Sequence, residues 1–180
     1  MIERHHQELM QESVALFSDC EKYRYKLTRT WDTARNGVAY LMLNPSTADE
    51  MKNDPTIARC QLRAIGMGYG RITIVNLFPY RMTDSTQLYY SSDDLIGDID
   101  AANNAIIEAV ESSEMTICGW GSHPLATARA EDVFAMLLNI NLQGRLHCLK
   151  QNKNGSPMHP LYVGYSVVPT PYQPILASMR

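Results

Sequence analysis

Polar and apolar residues alternate along the first quarter of the chain in patterns typical of one helix and two strands. Residues 4–19 carry scattered apolar side chains among polar ones, which predicts an amphipathic opening helix. Residues 23–29 alternate aromatic or apolar side chains with basic ones, as a half-exposed strand does. After the turn signal Asn36-Gly37, the wholly apolar residues 38–43 predict a buried strand. We therefore expect a hairpin-like entry over residues 23–43, from an edge strand into a central one.

Helical and strand patterns then take turns along the rest of the chain. Pro55, with Asp54 before it, predicts the start of a helix that ends at the glycines at positions 66, 68 and 70. The other segments predict helices near residues 97–112 and 124–139, and strands at residues 72–77, 115–118 and 145–150. Such alternation favours a parallel sheet with helices on both faces, in one α/β domain over residues 1–180.

Composition narrows the class of protein. With 180 residues, 45% of them hydrophobic and 19% charged, the chain suits one domain with a proper core and excludes a disordered tail, a collagen-like fibre or a disulfide scaffold. No apolar segment approaches the roughly 20 residues that span a bilayer, and the first residues lack a signal-peptide pattern, so we expect a cytoplasmic protein without a membrane partner. A net charge of −3 disfavours a protein held to DNA mainly by charge.

The four cysteines give no sign of a metal or redox site. Cys20, Cys60, Cys118 and Cys148 lie far apart, without the paired spacing of zinc, iron–sulfur or redox motifs. We expect reduced thiols packed in the protein, and neither a metal nor a cofactor.

Candidate chemistry lies where the predicted strands end. Ligands of open parallel sheets bind beyond the carboxyl ends of the strands. The strands run into segments rich in carboxamides, hydroxyls, glycines and histidine, at residues 44–49, 76–81, 118–123 and 151–160. Each segment alone is explained by the turn preferences of these residues, but four together predict a polar pocket.

The residue types in these segments limit the chemistry. The carboxamides of Asn44 and Asn76 donate and accept hydrogen bonds, which suits a nucleobase edge; Asn44 can also position a water, without being a true general base. His159 is either structural or a donor to an oxygen that gains charge. The backbone amides of Gly119 and Gly121 either bind a phosphate or form a tight turn.

Acidic and basic residues near the pocket have two interpretations each. Asp49 and Asp54 either act as bases or metal ligands, or cap the following helix. The basic residues either form a positive rim or are simply solvated; they are Arg59, Arg63, Arg71, Arg81, Lys150 and Lys153. Ser46 lacks the sequence context of a hydrolase triad, and the glycines at 66, 68 and 70 do not follow a strand as a dinucleotide site requires.

These motifs resemble those of domain-of-unknown-function family 1643 (DUF1643), found in bacteria and phages. The matching segments cover most of the chain from Tyr23 to Tyr162; they are Asn44-Pro45-Ser46-Thr47-Ala48-Asp49, Asp54-Pro55-Thr56, Asn76-Leu77-Phe78 and Gly155-Ser156-Pro157-Met158-His159-Pro160-Leu161-Tyr162. That resemblance implies no activity.

The order of the strand-end motifs also resembles the uracil-DNA glycosylase superfamily. This resemblance implies a three-layer α/β/α sandwich with a short, mostly parallel central sheet, to which the pattern of residues 23–43 adds an N-terminal hairpin. It implies that Asn44, before Pro45, orients the attacking water, that Asn76 reads the base edge, and that His159 stabilises the departing base. Trp120-Gly121-Ser122 matches a turn of family-one enzymes, and Ser46 replaces a bulky Tyr that excludes the thymine methyl. Tyr69 or Phe78 would supply the stacking aromatic.

The sequence therefore predicts an N-glycosidase-like hydrolase acting on a nucleobase in DNA or in a free nucleotide. A second reading is a non-catalytic nucleotide or modified-base binding module, in phage–host conflict or DNA modification. A third is another nucleotide enzyme that uses Asp49 or Asp54 with a metal. The predicted site comprises catalytic Asn44 and His159, ligand-binding Pro45, Ser46, Asn76, Phe78, Trp120, Gly121 and Ser122, and additional Asp49, Asp54 and Arg81.

Overall fold

The computed structural model describes residues 1–174. Within them are eight strands: β1 (Ile2–Glu8), β2 (Gln11–Phe17), β3 (Arg24–Thr30), β4 (Gly37–Met42), β5 (Arg71–Asn76), β6 (Met115–Cys118), β7 (Leu146–Cys148) and β8 (Thr170–Pro171). The α-helices of this part of the chain are α1 (Pro55–Gly66), α2 (Ile99–Glu111) and α3 (Ala126–Asn139). Short 3₁₀ helices cover Ser85–Tyr90, Gln143–Arg145 and Pro160–Tyr162.

All eight strands form one mixed sheet in the order β1-β2-β3-β5-β4-β6-β7-β8. Three of the seven strand pairings are parallel, β5 with β4, β4 with β6 and β6 with β7, and the other four are antiparallel. The predicted three-layer sandwich around a short, mostly parallel sheet is therefore wrong. Antiparallel strands added at both ends of the parallel part make the sheet long and mixed.

The N-terminal segment accounts for much of this difference. The predicted helix over residues 4–19 is instead the antiparallel pair β1 and β2. In β2 the buried side chains alternate, and two of the three are the small residues Ser13 and Ala15, with Phe17 as the third. This period of two is typical of a strand, but it is hard to recognise in the sequence because small residues occupy the buried positions.

The predicted hairpin over residues 23–43 is also wrong. β3 and β4 do not pair with each other; β5 lies between them, antiparallel to β3 and parallel to β4. β3 is consequently an interior strand and not an edge strand. β3 pairs with β5, which follows it by some 40 residues, and local periodicity does not predict such long-range pairing.

A β-bulge changes which way β3 points its side chains. Leu16 pairs with Lys26 but Phe17 pairs with Arg24, so Tyr25 is an extra residue on β3. An extra residue reverses the alternation beyond it. Arg24 therefore shares a face of the sheet with Leu27, whereas simple alternation would put it on the other face.

Several predicted elements are confirmed. α1 begins at Pro55, and the Asp54 carboxylate caps it by accepting a hydrogen bond from Ile57 N at 2.9 Å. The predicted strands at 72–77 and 115–118 and the helices near 97–112 and 124–139 correspond to β5, β6, α2 and α3 within a few residues. The predicted fourth strand corresponds to the shorter β7.

Helices cover both faces of the parallel part of the sheet. On one face Ile57, Cys60 and Ala64 of α1 pack in a cluster with alternate residues of β4 and β5, among them Tyr40. On the other face α2 and α3 pack against the remaining alternate residues, including Leu41. Because both faces are covered, every residue of β4 is buried.

The cysteines are free thiols, of which Cys60, Cys118 and Cys148 are buried as predicted and Cys20 is exposed. Within residues 1–174, no helix combines the length and apolar character that crossing a bilayer requires.

Candidate functional site

A cavity of about 590 Å³ opens where the carboxyl ends of β4, β5 and β6 meet. This volume lies within the ~300–1,000 Å³ typical of small-molecule sites. The N-terminus of α1 and the turn over residues 159–162 complete its wall. Eight of the predicted site residues line it: Asn44, Ser46, Asp54, Asn76, Trp120, Gly121, Ser122 and His159.

Asn44 follows β4 and has a fixed carboxamide. Its Nδ2 donates to the carbonyl oxygens of Pro45, at 3.0 Å, and Met82, at 2.7 Å. Only the NH₂ group can donate to two carbonyls, so these contacts determine which way the amide points. The remaining polar atom of the side chain, Oδ1, is an acceptor, and it can hold a water by one of its hydrogens.

Asn76 ends β5 and is only 4% exposed. Its Oδ1 has no hydrogen-bond partner among the described residues. A buried polar atom left without a partner costs roughly 1–3 kcal/mol. Because Asn76 lines the cavity, a donor on a bound molecule is the natural partner for this oxygen.

His159 lines the cavity, and a backbone contact defines the role of one of its ring nitrogens. Its Nδ1 accepts a hydrogen bond from Leu161 N at 3.3 Å. A neutral imidazole that accepts at Nδ1 carries its proton on Nε2. Burial lowers the pKa of His159, and the opposite effect of Asp54 is smaller. At neutral pH the side chain is therefore an uncharged Nε2–H donor.

Close packing holds the His159 turn against the sheet. A Cβ added to Gly119, just after β6, would lie 2.6 Å from Pro160 Cδ. From the other side, the guanidinium of Arg63 donates to four backbone carbonyls of residues 163–167, at 2.9 to 3.4 Å. Arg59 donates to Pro160 O and Val163 O. Helix α1 and strand β6 thus fix the turn between them.

Arg63 and Arg71 do not form the predicted positive rim. Arg63 is 2% exposed, and its guanidinium donates to the carbonyls just described. Arg71 lies at the start of β5, at the opposite end of the strand from Asn76, and donates to Ser112 O.

His123 is a second histidine of the cavity, and the sequence predictions did not assign it a role. Its Nδ1 accepts from Leu125 N at 3.3 Å, the same contact that His159 makes with Leu161. The signal was present in the sequence, because His-Pro-Leu occurs at both 123–125 and 159–161.

The turn after β6 contributes an aromatic wall, and the two glycine amides predicted to bind a phosphate are already hydrogen-bonded. Trp120 is 5% exposed and packs edge-to-face on Tyr172, with ring centroids 5.7 Å apart. Gly121 has a φ of +77°, which favours glycine. The amides of Gly119 and Gly121 donate to Leu41 O and Pro157 O, both at 2.9 Å. They are therefore not available to a phosphate.

Four predicted residues do not line the cavity. Pro45 is buried behind it, and its carbonyl accepts from Met82 N. Phe78 is 6% exposed and packs in the core on the α2 side. The Asp49 carboxylate accepts from the backbone of residues 51 and 52. The Arg81 guanidinium lies over the ring of Phe17, 5.1 Å from its centroid.

Other sequence proposals find no support in the geometry. Tyr69 is buried away from the cavity, near Glu114, and does not take the role of a stacking aromatic. In the part of the chain that the structure describes, no group of three or more His, Cys, Asp and Glu side chains is arranged to hold a metal. Asp54 lines the cavity but Asp49 does not, so the two carboxylates do not converge there.

Arg24 is a cavity residue that the sequence analysis missed. It is 2% exposed, and its Nη1 donates to Ala48 O at 2.7 Å. Its Nε is buried without a hydrogen-bond partner among the described residues. The alternation of β3 suggested a solvent-facing basic residue, and the bulge at Tyr25 turns it inward instead.

Comparisons with known proteins identify a family but no activity. The hetero-hexameric glutamate dehydrogenase from Thermus thermophilus, in its leucine-bound form, aligns with 78% of this chain and 33% of its own, at 14% identity and a TM-score of 0.35. This chain spans about a third of that protein, and a likeness this weak carries no argument. No curated protein matches the sequence. Residues 24–161 match DUF1643, described as a protein of unknown function, and the chain belongs to that family.

Proposed function

We propose that this protein recognises a nucleobase, in DNA or in a nucleotide, and hydrolyses its N-glycosidic bond. The observation that carries the proposal is the convergence of Asn44, Asn76 and His159 on one cavity. Their order along the chain also resembles that of the strand-end motifs of uracil-DNA glycosylases. Contacts within the protein orient the carboxamide of Asn44 and the imidazole of His159. Oδ1 of Asn76 has no hydrogen-bond partner among the described residues.

Asn76 is the base-reading residue in this proposal. A pyrimidine such as uracil or thymine carries an N–H beside a carbonyl, and a carboxamide is complementary to that pair. The unpartnered Oδ1 of Asn76 accepts the N–H, which removes the cost of leaving this buried oxygen alone. A base in duplex DNA must first be turned out of the stack to reach it.

His159 and Asn44 act on the two sides of the bond that breaks. The bond between the anomeric carbon and the base nitrogen breaks with its electron pair going to the base, which leaves an oxocarbenium-like sugar. The Nε2–H of His159 stabilises the charge on the base. Asn44 Oδ1 holds a water whose oxygen bonds to the anomeric carbon. The water loses a proton to solvent, and the base anion gains one.

Ser46 affects which bases are accepted. Its small side chain lines the cavity and leaves room for a methyl group at the base edge. We therefore expect thymine-type bases to enter as well as uracil-type bases, in contrast to enzymes that place a bulky tyrosine there.

A non-catalytic binding module is a second candidate. Asp54 is the one carboxylate that lines the cavity among the described residues, and its Oδ1 is engaged by Ile57 N at the start of α1. Asn44 has no appreciable basicity. The cavity therefore binds a base more readily than it activates a water, and this supports recognition of a nucleotide or modified base without turnover.

One experiment separates the two candidates. The protein is incubated with a panel of normal and modified bases, supplied as nucleosides, nucleotides and DNA strands, and both binding and release of free base are measured. Hydrolysis predicts free base that is lost in Asn44→Ala and His159→Ala. Asn36→Ala and His147→Ala are matched controls that lie outside the cavity. Saturable binding without product over long incubation supports the binding module, and neither binding nor product across the panel rejects both.

A further inference from the structure

We propose that the ligand enters this cavity with a phosphate group, and that Arg24 binds the phosphate. The inference deepens the proposed function and rests on it, because it makes the substrate a nucleotide unit and not a neutral base or nucleoside. The phosphate belongs either to a free nucleotide or to a nucleic acid strand, and both present the same oxyanion.

Arg24 has unsatisfied hydrogen-bonding capacity inside the cavity. It is 2% exposed, yet among its guanidinium groups only Nη1 has a hydrogen bond in the described structure, to Ala48 O. Its buried Nε has none. Guanidinium donors are arranged to meet two oxygens at once, which is the geometry that phosphate offers.

The positive charge of Arg24 also lacks a counterion. No ion pair within residues 1–174 includes it. The Asp54 carboxylate is near enough to raise the pKa of Arg24, but its Oδ1 caps helix α1. Burial lowers the pKa of Arg24 to about 10; the carboxylates of Asp54 and Asp49 raise it, and Arg81 and Arg29 lower it further. The side chain is still protonated at neutral pH, and a buried charge of this kind is costly until an anion pairs with it.

The backbone is built to put this arginine in the cavity. The bulge at Tyr25 turns Arg24 to the face of the sheet that α1 covers, and bulges beside functional sites commonly re-aim a side chain. The first turn of α1 lies in the same cavity wall, at Pro55, Thr56 and Ile57, and Asp54 caps it there.

Arg24 is also placed beside the base-reading residue. β3 runs antiparallel to β5, so the start of β3 meets the end of β5 at the same edge of the sheet. Arg24 N donates to Pro79 O, three residues after Asn76, at 2.9 Å. A ligand that bonds to Asn76 through its base can therefore reach Arg24 with its phosphate.

Arg29 provides a matched control for a purely structural role. Like Arg24 it projects from β3, is nearly fully buried (1% exposed) and donates to the loop after β4, at Asp49 O and Lys52 O. Unlike Arg24 it does not line the cavity. If the buried arginines of β3 only hold that loop, substitution of Arg24 and substitution of Arg29 should have the same effect on ligand binding.

The test measures binding by calorimetry for wild type, Arg24→Gln, Arg24→Lys and Arg29→Gln. The probes are uridine and thymidine, their 5′ and 3′ monophosphates, short single-stranded oligonucleotides and inorganic phosphate. We expect one or more phosphate-bearing probes to bind about 10- to 100-fold more tightly than the nucleosides. Arg24→Gln should abolish this difference, Arg24→Lys should keep part of it, and Arg29→Gln should keep it all.

The probes separate the sources of the phosphate. A gain for the monophosphates indicates a free nucleotide, and a gain for the oligonucleotides alone indicates a strand. Equal binding of nucleosides and all phosphate-bearing probes to the wild type overturns the inference, as does the same response in Arg24→Gln and Arg29→Gln. If Arg24→Gln does not fold, competition decides: inorganic phosphate must displace the monophosphate from the wild type but not the nucleoside, and any other result overturns the inference.

The inference and the proposed function can fail separately. Phosphate-dependent binding through Arg24 with no release of base rejects hydrolysis and keeps the inference. Hydrolysis of nucleosides as fast as of nucleotides, unaffected by Arg24→Gln, rejects the inference and keeps hydrolysis.

Discussion

The two turns at residues 123–125 and 159–161 share the sequence His-Pro-Leu and one local geometry. In each, the imidazole Nδ1 accepts from the backbone amide two residues later at 3.3 Å. Each histidine lines the same cavity. The contact at Nδ1 selects the same tautomer of the uncharged ring in both turns, with the proton on Nε2.

The two turns differ in what holds them. The 159–161 turn continues into a short 3₁₀ helix that packs on Gly119 and is held by Arg59 of α1, and Arg63 of α1 holds the segment that follows. The 123–125 turn leads directly into α3. There Arg129 anchors the helix away from the turn, by donating to Leu77 O at 3.1 Å. A local motif thus sets the donor, while long-range packing decides how rigidly it is aimed. We expect the rigidly held His159 to carry the chemistry.

The largest expected effect separates the two histidines. His159→Ala should lower kcat/KM for base release by about 10²–10³-fold, the usual cost of removing a donor to developing negative charge. His123→Ala should lower it less than about 10-fold, because the proposed mechanism assigns the charge on the departing base to His159. Steady-state kinetics on the best substrate of the panel measure both. Equal losses would show that the two turns act as a pair and would break the distinction.

The next effect concerns Arg63, which holds the segment that follows the 159–161 turn. Arg63→Met removes four hydrogen bonds to carbonyls of residues 163–167, and we expect the free energy of unfolding to fall by about 2–3 kcal/mol. Arg35→Met is the control: that arginine is exposed and pairs with Asp32, so its loss should cost about 0–1 kcal/mol. Urea unfolding followed by circular dichroism gives both values. Similar losses would mean that the four hydrogen bonds of Arg63 contribute little to the free energy of unfolding.

A smaller change tests the packing beneath the same turn. Gly119→Ala places a Cβ 2.6 Å from Pro160 Cδ, and overpacking of this kind should cost about 1–3 kcal/mol and shift the His159 ring. Gly144→Ala is the matched control, since an added Cβ there meets nothing within 4 Å. Thermal unfolding and the imidazole NMR signals of His159 report the two consequences. An unshifted His159 signal in a destabilised Gly119→Ala would show that the turn is aimed by α1 alone.

Much of the candidate site could be predicted because it depends on local signals and one topological rule. Asp54 and Pro55 identify the start of α1, and a cap is a property of neighbouring residues. Asn44, Asn76 and Trp120 follow β4, β5 and β6, which are adjacent parallel strands. Their side chains meet because parallel strands end at the same edge of a sheet.

The rest depends on contacts between distant segments. The insertion of β5 between β3 and β4 is decided by packing across the whole sheet, and the sequence around residues 23–43 suggests a hairpin instead. Arg24 was missed because one bulge reverses the alternation of its strand. Arg63 was expected either in a positive rim or in solvent, because no local pattern shows that carbonyls a hundred residues later come to lie beside it.

The smallest expected effect is a pH dependence that comes from the half-buried His159. Burial lowers the pKa of His159 below the ordinary value of 6.5. As the pH falls through 6.5, the unfolded chain therefore binds a proton before the native protein does, and the native protein loses stability until the pH reaches the lower native pKa. Protonation at Nδ1 would also set two N–H groups of His159 and Leu161 against each other.

The prediction is that His159→Gln loses less stability than the wild type between about pH 7.5 and about pH 5. Urea midpoints measured across this interval give the two slopes. Repeating the series in about 0.5 M salt screens interactions between surface charges across the whole protein. The pH dependence that remains then reports the local environment of the His159 imidazole. Parallel slopes for the two proteins would mean that the imidazole is as well solvated in the folded protein as in the unfolded chain. The difference between the two turns would then rest on their anchoring alone.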